Sequence, residues 1–257
     1  MAADTLTSEE LTALVRRVFQ PRDEDRSLAI LVDLPDDTLP DTPRWRARRE
    51  MAAGWARKLA GARSAHGLEV TLVVYPNVHS NNAELPASCW RWPGPEIPGH
   101  VGGLAGHIGE PFEALLASHR LIIAPTQLST TAPLKVLAPR LGFRAATMPG
   151  FSVEMVPALR LDYTEVNRRV GLLKRLLDES VGADLRFAID GVDEHRLHLD
   201  LRFRAAHASG GLLPEPGTAG NLPSGETYIV PYEGERDGEP SASAGSLPVQ
   251  LGQEVVV

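Results

Sequence analysis

The residues with the clearest potential for chemistry lie at 221–226, Asn-Leu-Pro-Ser-Gly-Glu, directly before Thr-Tyr-Ile-Val at 227–230. Pro223 and Gly225 favour a turn, and the β-branched and aromatic residues that follow favour a strand. Glu226 is therefore predicted to lie at a rigid corner, from which its carboxylate could bind a cation. Taken alone, the pattern is more typical of a β-turn with an exposed acid.

A second candidate segment lies upstream of the first. It has the sequence Ala-Ala-Thr-Met-Pro-Gly at 145–150, and Glu154-Met155 and Asp162-Tyr163 follow it. In this order, the two segments resemble the aminopeptidase T family of metallopeptidases, and the resemblance extends over 129–234. It is looser in the preceding part of the chain, where it depends on alternating strands and helices rather than on distinctive residues.

The resemblance implies an exopeptidase that removes the N-terminal residue of a peptide substrate with two divalent metal ions, zinc or cobalt. In such a site one cation polarises the scissile carbonyl, and both cations lower the pKa of a bridging water. Glu226 occupies the position of a metal ligand in the family motif. Members of the family commonly form dimers, so a homodimer is a further expectation.

The other metal ligands of the family are missing here. In the family, a second glutamate, histidines and an aspartate follow well downstream of the turn, whereas this chain ends 31 residues after Glu226. We therefore expect the chain to be a truncated piece of a longer protein. On its own it is expected to be inactive or to bind metal weakly.

Other histidines and acids do not replace these ligands. His195 and His198 lie three positions apart on a predicted strand, so their side chains point to opposite faces. His207 is isolated, which is typical of a structural or surface histidine. A dense acidic run follows, and we interpret it as a flexible acidic hairpin rather than a metal site: Glu233, Glu235, Asp237 and Glu239.

Two alternatives to a peptidase remain open. The first is an enzyme on the same scaffold that uses one iron ion for oxidative ring opening, as in the dihydroxypyridine dioxygenases, which resemble this family. Activity on a hydroxylated aromatic ring, with none on peptides, would favour it. The second is a non-catalytic binding or structural protein that retains the fold without a metal centre.

Composition limits the class of protein. With 257 residues, 43% of them hydrophobic, the chain can bury a substantial core. No apolar run approaches the roughly 20 residues that cross a bilayer, and the N-terminus lacks the features of a signal peptide, so we expect a cytoplasmic protein without membrane contact. The single cysteine, Cys89, lies in a loop-like stretch, where packing is a more typical role than catalysis.

The charge is unevenly distributed along the chain. The net charge is −7, and residues 209–257 hold seven acids and one arginine, which leaves a charge of about −1 for residues 1–208. Nucleic acids require a basic surface, so this balance argues against a nucleic-acid partner. One predicted helix is rich in basic residues, which we interpret as a solvated face: Arg44, Arg46, Arg48, Arg49, Arg57, Lys58 and Arg63.

The periodicity of the apolar residues predicts an α/β fold. Apolar runs of strand length at 28–34 and 70–75 alternate with helices, of which one is predicted to start after Thr7 and another after Thr42. Such alternation is typical of a largely parallel sheet flanked by helices. A long irregular segment is predicted at 79–109, and a loop of this length is often functional. We interpret its glycine-rich part, 99–106, as a flexible cover rather than a phosphate-binding loop.

The pattern changes near Gly191, where we place a domain boundary. Residues 1–190 are predicted to form the α/β domain. Residues 191–257 alternate polar and apolar side chains and then become rich in glycine and proline, which predicts turns and antiparallel strands. By the resemblance, this second part is the beginning of a β-rich, metal-binding catalytic domain.

Overall fold

A computed structural model gives the fold and describes residues 5–94, 96–189, 193–251 and 254–256. The helices are α1 (Ser8–Phe19), α2 (Pro43–Gly61), α3 (Arg63–His66), α4 (Phe112–Ser118), α5 (Thr131–Leu141) and α6 (Tyr163–Glu179). The first seven strands are β1 (Ser27–Leu34), β2 (Glu69–Pro76), β3 (Ser88–Arg91), β4 (Glu110–Pro111), β5 (Leu121–Ala124), β6 (Arg144–Thr147) and β7 (Gly182–Ile189). The others are β8 (Asp193–Asp200), β9 (His207–Ser209), β10 (Thr218–Asn221), β11 (Glu226–Tyr228), β12 (Ala244–Gly245), β13 (Val249–Leu251) and β14 (Glu254–Val256).

The chain divides into two compact units. Unit 1 consists of Met1–Val166 and Gly211–Ser224, and unit 2 consists of Asn167–Gly210 and Gly225–Val257. Each unit is therefore made from two separate segments of the chain. The sequence predicts a boundary near residue 190 between two domains that fold independently. That boundary stays a prediction.

Unit 1 contains a seven-stranded, mostly parallel sheet, which confirms the predicted α/β class. Its strand order is β10-β6-β5-β1-β2-β3-β4. The pairs from β10 to β2 are parallel, whereas β3 and β4 add antiparallel pairs at one edge. The central strand β1 is buried along nearly its whole length, as expected for a parallel strand covered on both faces.

Local sequence signals explain where the first two long helices begin. Thr7 and Glu10 form a reciprocal capping box, in which each side chain accepts a hydrogen bond from the backbone N–H of the other residue. Thr42 caps α2 by accepting from the Trp45 N–H, and Pro43 fills the first helical position. Both helix starts are where the sequence predicts them.

The strongest polar feature inside unit 1 is an ion pair between Asp25 and Arg144. Both side chains are almost completely buried. Arg144 also donates to the carbonyl oxygens of Phe19 and Pro214, at 2.7 and 3.1 Å. Because the guanidinium reaches three separate segments, it ties the end of α1 and the segment before β10 to the first residue of β6.

Three features of unit 1 differ from the sequence-based prediction. Residues 218–221 form β10 at the edge of the parallel sheet, although the sequence predicts antiparallel structure there. The irregular segment 79–109 contains β3 and a 3-10 turn that His100 caps. Arg48 and Arg49 are buried, so the interpretation of the arginine-rich helix as a solvated face is wrong for these two residues.

Unit 2 contains most of α6 and several small antiparallel sheets. β8 lies between β7 and β12, while β9 pairs with β11 and β13 pairs with β14. Asp200 at the end of β8 is the best-connected polar residue: it accepts from the Arg202 side chain and from the Ala242 N–H. These hydrogen bonds hold the pKa of the Asp200 carboxyl well below its usual range.

Candidate functional site at the carboxyl edge of the parallel sheet

The topology of unit 1 identifies the part of the sheet where a ligand is most expected. The five parallel strands have the order β2-β1-β5-β6-β10, so the chain leaves β1 towards one side and continues from β5 towards the other. In open α/β sheets, ligands bind beyond the carboxyl ends of the strands at such a switch point. The loops after β1 and β5 are therefore the candidate site.

Asp33, near the carboxyl end of β1, organises this switch point. Its carboxylate accepts hydrogen bonds from the backbone N–H groups of Gln127 and Leu128 at 2.7 and 2.9 Å, and from Trp45 Nε1 at 3.2 Å. Burial raises the pKa of Asp33, against the opposing effect of these donors and of the Arg48 charge. Asp33 thus fixes the loop after β5 through the backbone N–H groups of Gln127 and Leu128.

Arg48 of α2 supports the same loop. Its Nε donates to the Phe151 carbonyl oxygen, and one terminal nitrogen donates to the Gln127 side-chain oxygen. Because these donors are used on a backbone carbonyl and an amide oxygen, Arg48 positions the loop. The loop is therefore positioned by groups on β1 and α2 together.

Two histidine–aspartate pairs lie in the loops at this edge. His79 Nε2 is 2.6 Å from Asp36 Oδ2, and His100 Nε2 is 3.4 Å from Asp37 Oδ1. Partial burial of Asp36 raises its pKa, but the hydrogen bonds from the Leu39 N–H and from His79 lower it on balance. Both pairs join the loop after β1 to the segment that follows β2.

The His79–Asp36 pair has the geometry of a proton acceptor. The His79 side chain is 51% exposed, and its Nδ1 makes no hydrogen bond with any residue that the structure describes. A carboxylate on one ring nitrogen fixes the tautomer and stabilises the imidazolium that forms when the other nitrogen takes a proton. His79 is thus suited to receive a proton from a hydroxyl group of a ligand at this edge of the sheet.

The start of α5, which follows the β5 loop, offers no anion site. The Thr131 N–H donates to Ser129 Oγ, the Ala132 N–H donates to Asn82 Oδ1, and Pro133 has no N–H. The N-terminal donors that could bind a phosphate are therefore already occupied.

A compact polar cluster closes the outer part of the same edge. The oxygens of Thr131 and Thr147 are 2.9 Å apart, and they lie 2.9 and 2.8 Å from the side-chain oxygen of Asn221. The amide oxygen of Asn221 accepts a hydrogen bond from each hydroxyl, which its two lone pairs allow. The cluster is explained by internal hydrogen bonding and needs no cation.

Glu226, the predicted metal ligand, lies outside unit 1. It is the first residue of β11 in unit 2, opposite Ser209 of β9, and its side chain is exposed. Two positions further along the same ladder, Tyr228 pairs with His207, and their rings stack with centroids 5.1 Å apart. Within the described ranges, no group of three His, Cys, Asp or Glu side chains could hold a metal ion.

The other predicted candidates in unit 2 have protein partners. His198 Nδ1 is 2.8 Å from Asp184, whereas His195 Nδ1 is 3.4 Å from Ser246 Oγ, so the two histidines do not converge. In the acidic run 233–239, two carboxylates bind arginines, in the pairs Glu235–Arg204 and Glu239–Arg202.

Cys89 is buried in unit 1. Burial raises the pKa of its thiol to about 12, which keeps it protonated at neutral pH. A thiol in this state is a poor nucleophile, so Cys89 contributes packing to the core cluster that contains Tyr75 and Phe112.

Together, the sheet and its carboxyl edge define an open, mostly parallel α/β protein with an added antiparallel unit. Neither a family model nor a curated protein matches the chain. Among solved structures, the chain is similar in fold to a 2,5-dihydroxypyridine dioxygenase from Pseudomonas putida KT2440, with a TM-score of 0.53 and 18% sequence identity. The likeness covers 89% of this chain, which spans 58% of the dioxygenase chain.

These findings correct the assignment made from the sequence. The aminopeptidase T resemblance and the peptidase activity that it implied are wrong. The likeness to a dioxygenase is compatible with a metal cofactor but gives no support for a pair of zinc or cobalt ions. The physical reason is that a Pro-Ser-Gly-Glu turn before a strand describes a common backbone corner. Glu226 does lie at such a corner, but it is exposed and lacks neighbouring ligands among the described residues.

The residues at the carboxyl edge were not singled out from the sequence. One signal for Asp33 was present, because an acid inside an otherwise apolar run of strand length must be satisfied by specific donors. Nothing in the sequence pairs Asp36 with His79, since the pairing depends on how two loops after neighbouring strands meet.

Proposed function

We infer that the protein acts on small hydroxylated aromatic rings, and that oxidative ring opening with one iron ion is the reaction of the whole protein. The observation that carries this proposal is the likeness in fold to the 2,5-dihydroxypyridine dioxygenase over 89% of this chain. A fold hosts many reactions, so the likeness supports the scaffold, and the site has to support the chemistry.

The described residues do not fit an iron site by themselves. Such a site needs several histidine or carboxylate ligands on one face of the metal, and no group of three is found in the described part of the chain. Glu226 is available as one exposed carboxylate. Iron binding would thus require ligands beyond the described residues, and we derive no step that passes through the metal.

The carboxyl edge of unit 1 supplies a role for this chain in that reaction. A ring hydroxyl placed at this edge would meet His79, whose Nδ1 makes no hydrogen bond with any described residue while Asp36 holds Nε2 at 2.6 Å. Removing the proton makes the ring more electron-rich, which favours its oxidation. His79 would thus bind and activate the ring, and the Asp33 network would keep the surrounding loop in place.

The test combines iron content, ring binding and oxygen uptake for the purified chain supplied with Fe(II). With 2,5-dihydroxypyridine as probe, we expect oxygen uptake that His79→Gln reduces about 10- to 100-fold, as for the loss of a proton acceptor. The matched control is His198→Gln, because His198 also pairs with an aspartate, at 2.8 Å, but lies in unit 2. An equal loss in both variants would contradict the role of His79.

A second candidate is a non-catalytic protein that binds hydroxylated rings on the same scaffold. It is favoured by the lack of a metal-ligating group of three among the described residues. Under this alternative, the probe binds but no oxygen is consumed and no iron is retained. A cytoplasmic location, a homodimer and the absence of nucleic-acid and membrane partners stay predictions; within the described residues, no helix is both long and apolar enough to cross a bilayer.

A further inference from the structure

Unit 1 contains a second concave site, away from the histidine–aspartate pairs. It is a cavity of about 440 Å³ between the segment 82–87, α4 and α5. Its volume lies in the range of small-molecule sites, which are mostly apolar with a few polar groups at the edge. Nothing in the proposed ring chemistry uses it.

The walls of this cavity are apolar. Phe112 and Leu116 of α4 are buried in the core and form one wall, and Leu85 and Pro86 come from the loop. Val136 of α5 also lines the cavity, yet its side chain is 75% exposed. An exposed valine beside buried aromatic and aliphatic groups gives an apolar ligand a surface to cover.

The charged groups that line the cavity are both acids. Glu84 makes no ion pair with any residue that the structure describes, and Glu113 is 2.6 Å from Arg140. No basic side chain belongs to the lining, so the Glu84 carboxylate is an unneutralised charge at the edge of an apolar hollow. A negative charge at the edge of the cavity favours a cationic ligand and disfavours an anionic one.

We propose that this cavity binds a small arylalkylamine cation, with the ring against Phe112 and Val136 and the ammonium group at Glu84. The ring buries apolar area, and the carboxylate supplies the selectivity for charge. The site is independent of iron and of His79, so it stands or falls separately from the proposed function.

The test uses three probes with the same ring and different head groups on the purified chain without added metal. Calorimetry or ligand-observed NMR should show that phenethylamine binds about fivefold more tightly than 2-phenylethanol, the size expected for one partly solvated ion pair, and that phenylacetate binds most weakly. Equal affinities for the three probes, or no binding of the amine, would overturn the proposal.

Two variants locate the binding. Val136→Trp should fill the cavity and abolish amine binding, whereas Val181→Trp, at a valine of matched 74% exposure in unit 2, should leave it unchanged. Glu84→Gln should reduce the preference for the amine over the alcohol to nearly one, while the exposed Glu179→Gln should not. Circular dichroism checks that each variant is folded. Amine binding that survives Val136→Trp would place the site elsewhere and refute the assignment.

Discussion

The two units differ in what specifies their structure. In unit 1, β1 is buried over nearly its whole length, and large apolar side chains such as Trp55 and Phe112 are fully enclosed. In unit 2, several large apolar side chains are exposed, among them Val181, Phe203 and Leu176, and the best-connected residue is the carboxylate Asp200. Apolar burial thus stabilises unit 1, whereas charged hydrogen bonds have a larger share in unit 2.

The two units also differ in how they arrange their polar and ionisable side chains. The carboxyl edge of unit 1 brings together groups from several loops, because parallel strands end at the same side of the sheet. The antiparallel ladders of unit 2 place their acids and histidines next to local partners, as in His198 with Asp184. A parallel sheet therefore gathers distant residues into one site, which the sequence of unit 1 alone does not reveal.

The largest expected effect is on the buried ion pair of unit 1. Arg144→Met leaves Asp25 as an uncompensated buried charge, and we expect a loss of about 3–5 kcal/mol in unfolding free energy, measured with urea. Arg140→Met is the matched control: its exposed pair with Glu113 should contribute no more than about 1 kcal/mol. Similar losses in both variants would show that burial does not distinguish them.

The next effect concerns Asp33. Asp33→Asn places an amide nitrogen against N–H donors of the β5 loop, and we expect a loss of about 1–3 kcal/mol together with looser binding of ring probes. The control is Asp23→Asn, an exposed aspartate near the start of the same strand. An unchanged unfolding free energy would contradict the role of Asp33 in fixing the loop.

The Asp33 variant also changes the pH dependence of stability. Because burial raises the pKa of Asp33 in the folded protein, its carboxyl favours folding at low pH, and this contribution is lost as the pH rises through the folded pKa. The unfolding free energies of wild type and Asp33→Asn can be compared by urea unfolding between about pH 4 and about pH 7. As the pH rises, the wild type should lose stability relative to the variant. Parallel curves would mean that Asp33 has an ordinary pKa.

Unit 2 should respond to acid in the opposite direction. The pKa of Asp200 is lowered by the Arg202 side chain and the Ala242 N–H, so its contribution is present above the unfolded pKa of about 3.9 and is lost as the pH falls through the folded pKa. In acid, the backbone amides of Ala242 and Arg202 should therefore lose their protection from hydrogen exchange early. In Asp200→Asn these amides should exchange quickly already at neutral pH.

The smallest effect is expected on the exposed apolar side chains of unit 2. Leu176→Gln removes a leucine that is 61% exposed, and we expect a change within about 0.5 kcal/mol. Ile123→Ala in the buried β5 of unit 1 should cost about 2–5 kcal/mol by the same urea measurement. A large loss for Leu176→Gln would show that its surface is buried in solution.

Local signals account for the parts of the fold that the sequence predicts well. The apolar run of β1 and the Thr42-Pro43 start of α2 are encoded by neighbouring residues. The parallel pairing of β10 is not, since its Thr-Ala-Gly-Asn sequence has little strand preference and its partner β6 lies far away in the chain. The burial of Arg48 depends on Phe151, 103 residues further along.

The candidate site follows the same distinction. The turn before β11 is local, and Glu226 does begin the strand after it, but the identity of a metal ligand depends on groups that converge in space. Two local segments, the turn at 221–226 and the block at 145–150, led to the wrong family. The pairing of Asp36 with His79 crosses 43 residues and becomes visible only once the sheet is formed.

The most direct test of the proposed function is oxygen uptake by the purified chain with Fe(II) and 2,5-dihydroxypyridine, measured together with bound iron. With ligands from beyond the described residues completing the iron site, we expect about one iron ion retained per chain and about one O₂ consumed per ring opened. The His79→Gln variant should be slower and His198→Gln unaffected. Failure to retain iron, together with no oxygen uptake, would contradict the dioxygenase proposal; ring binding under those conditions would support the non-catalytic alternative.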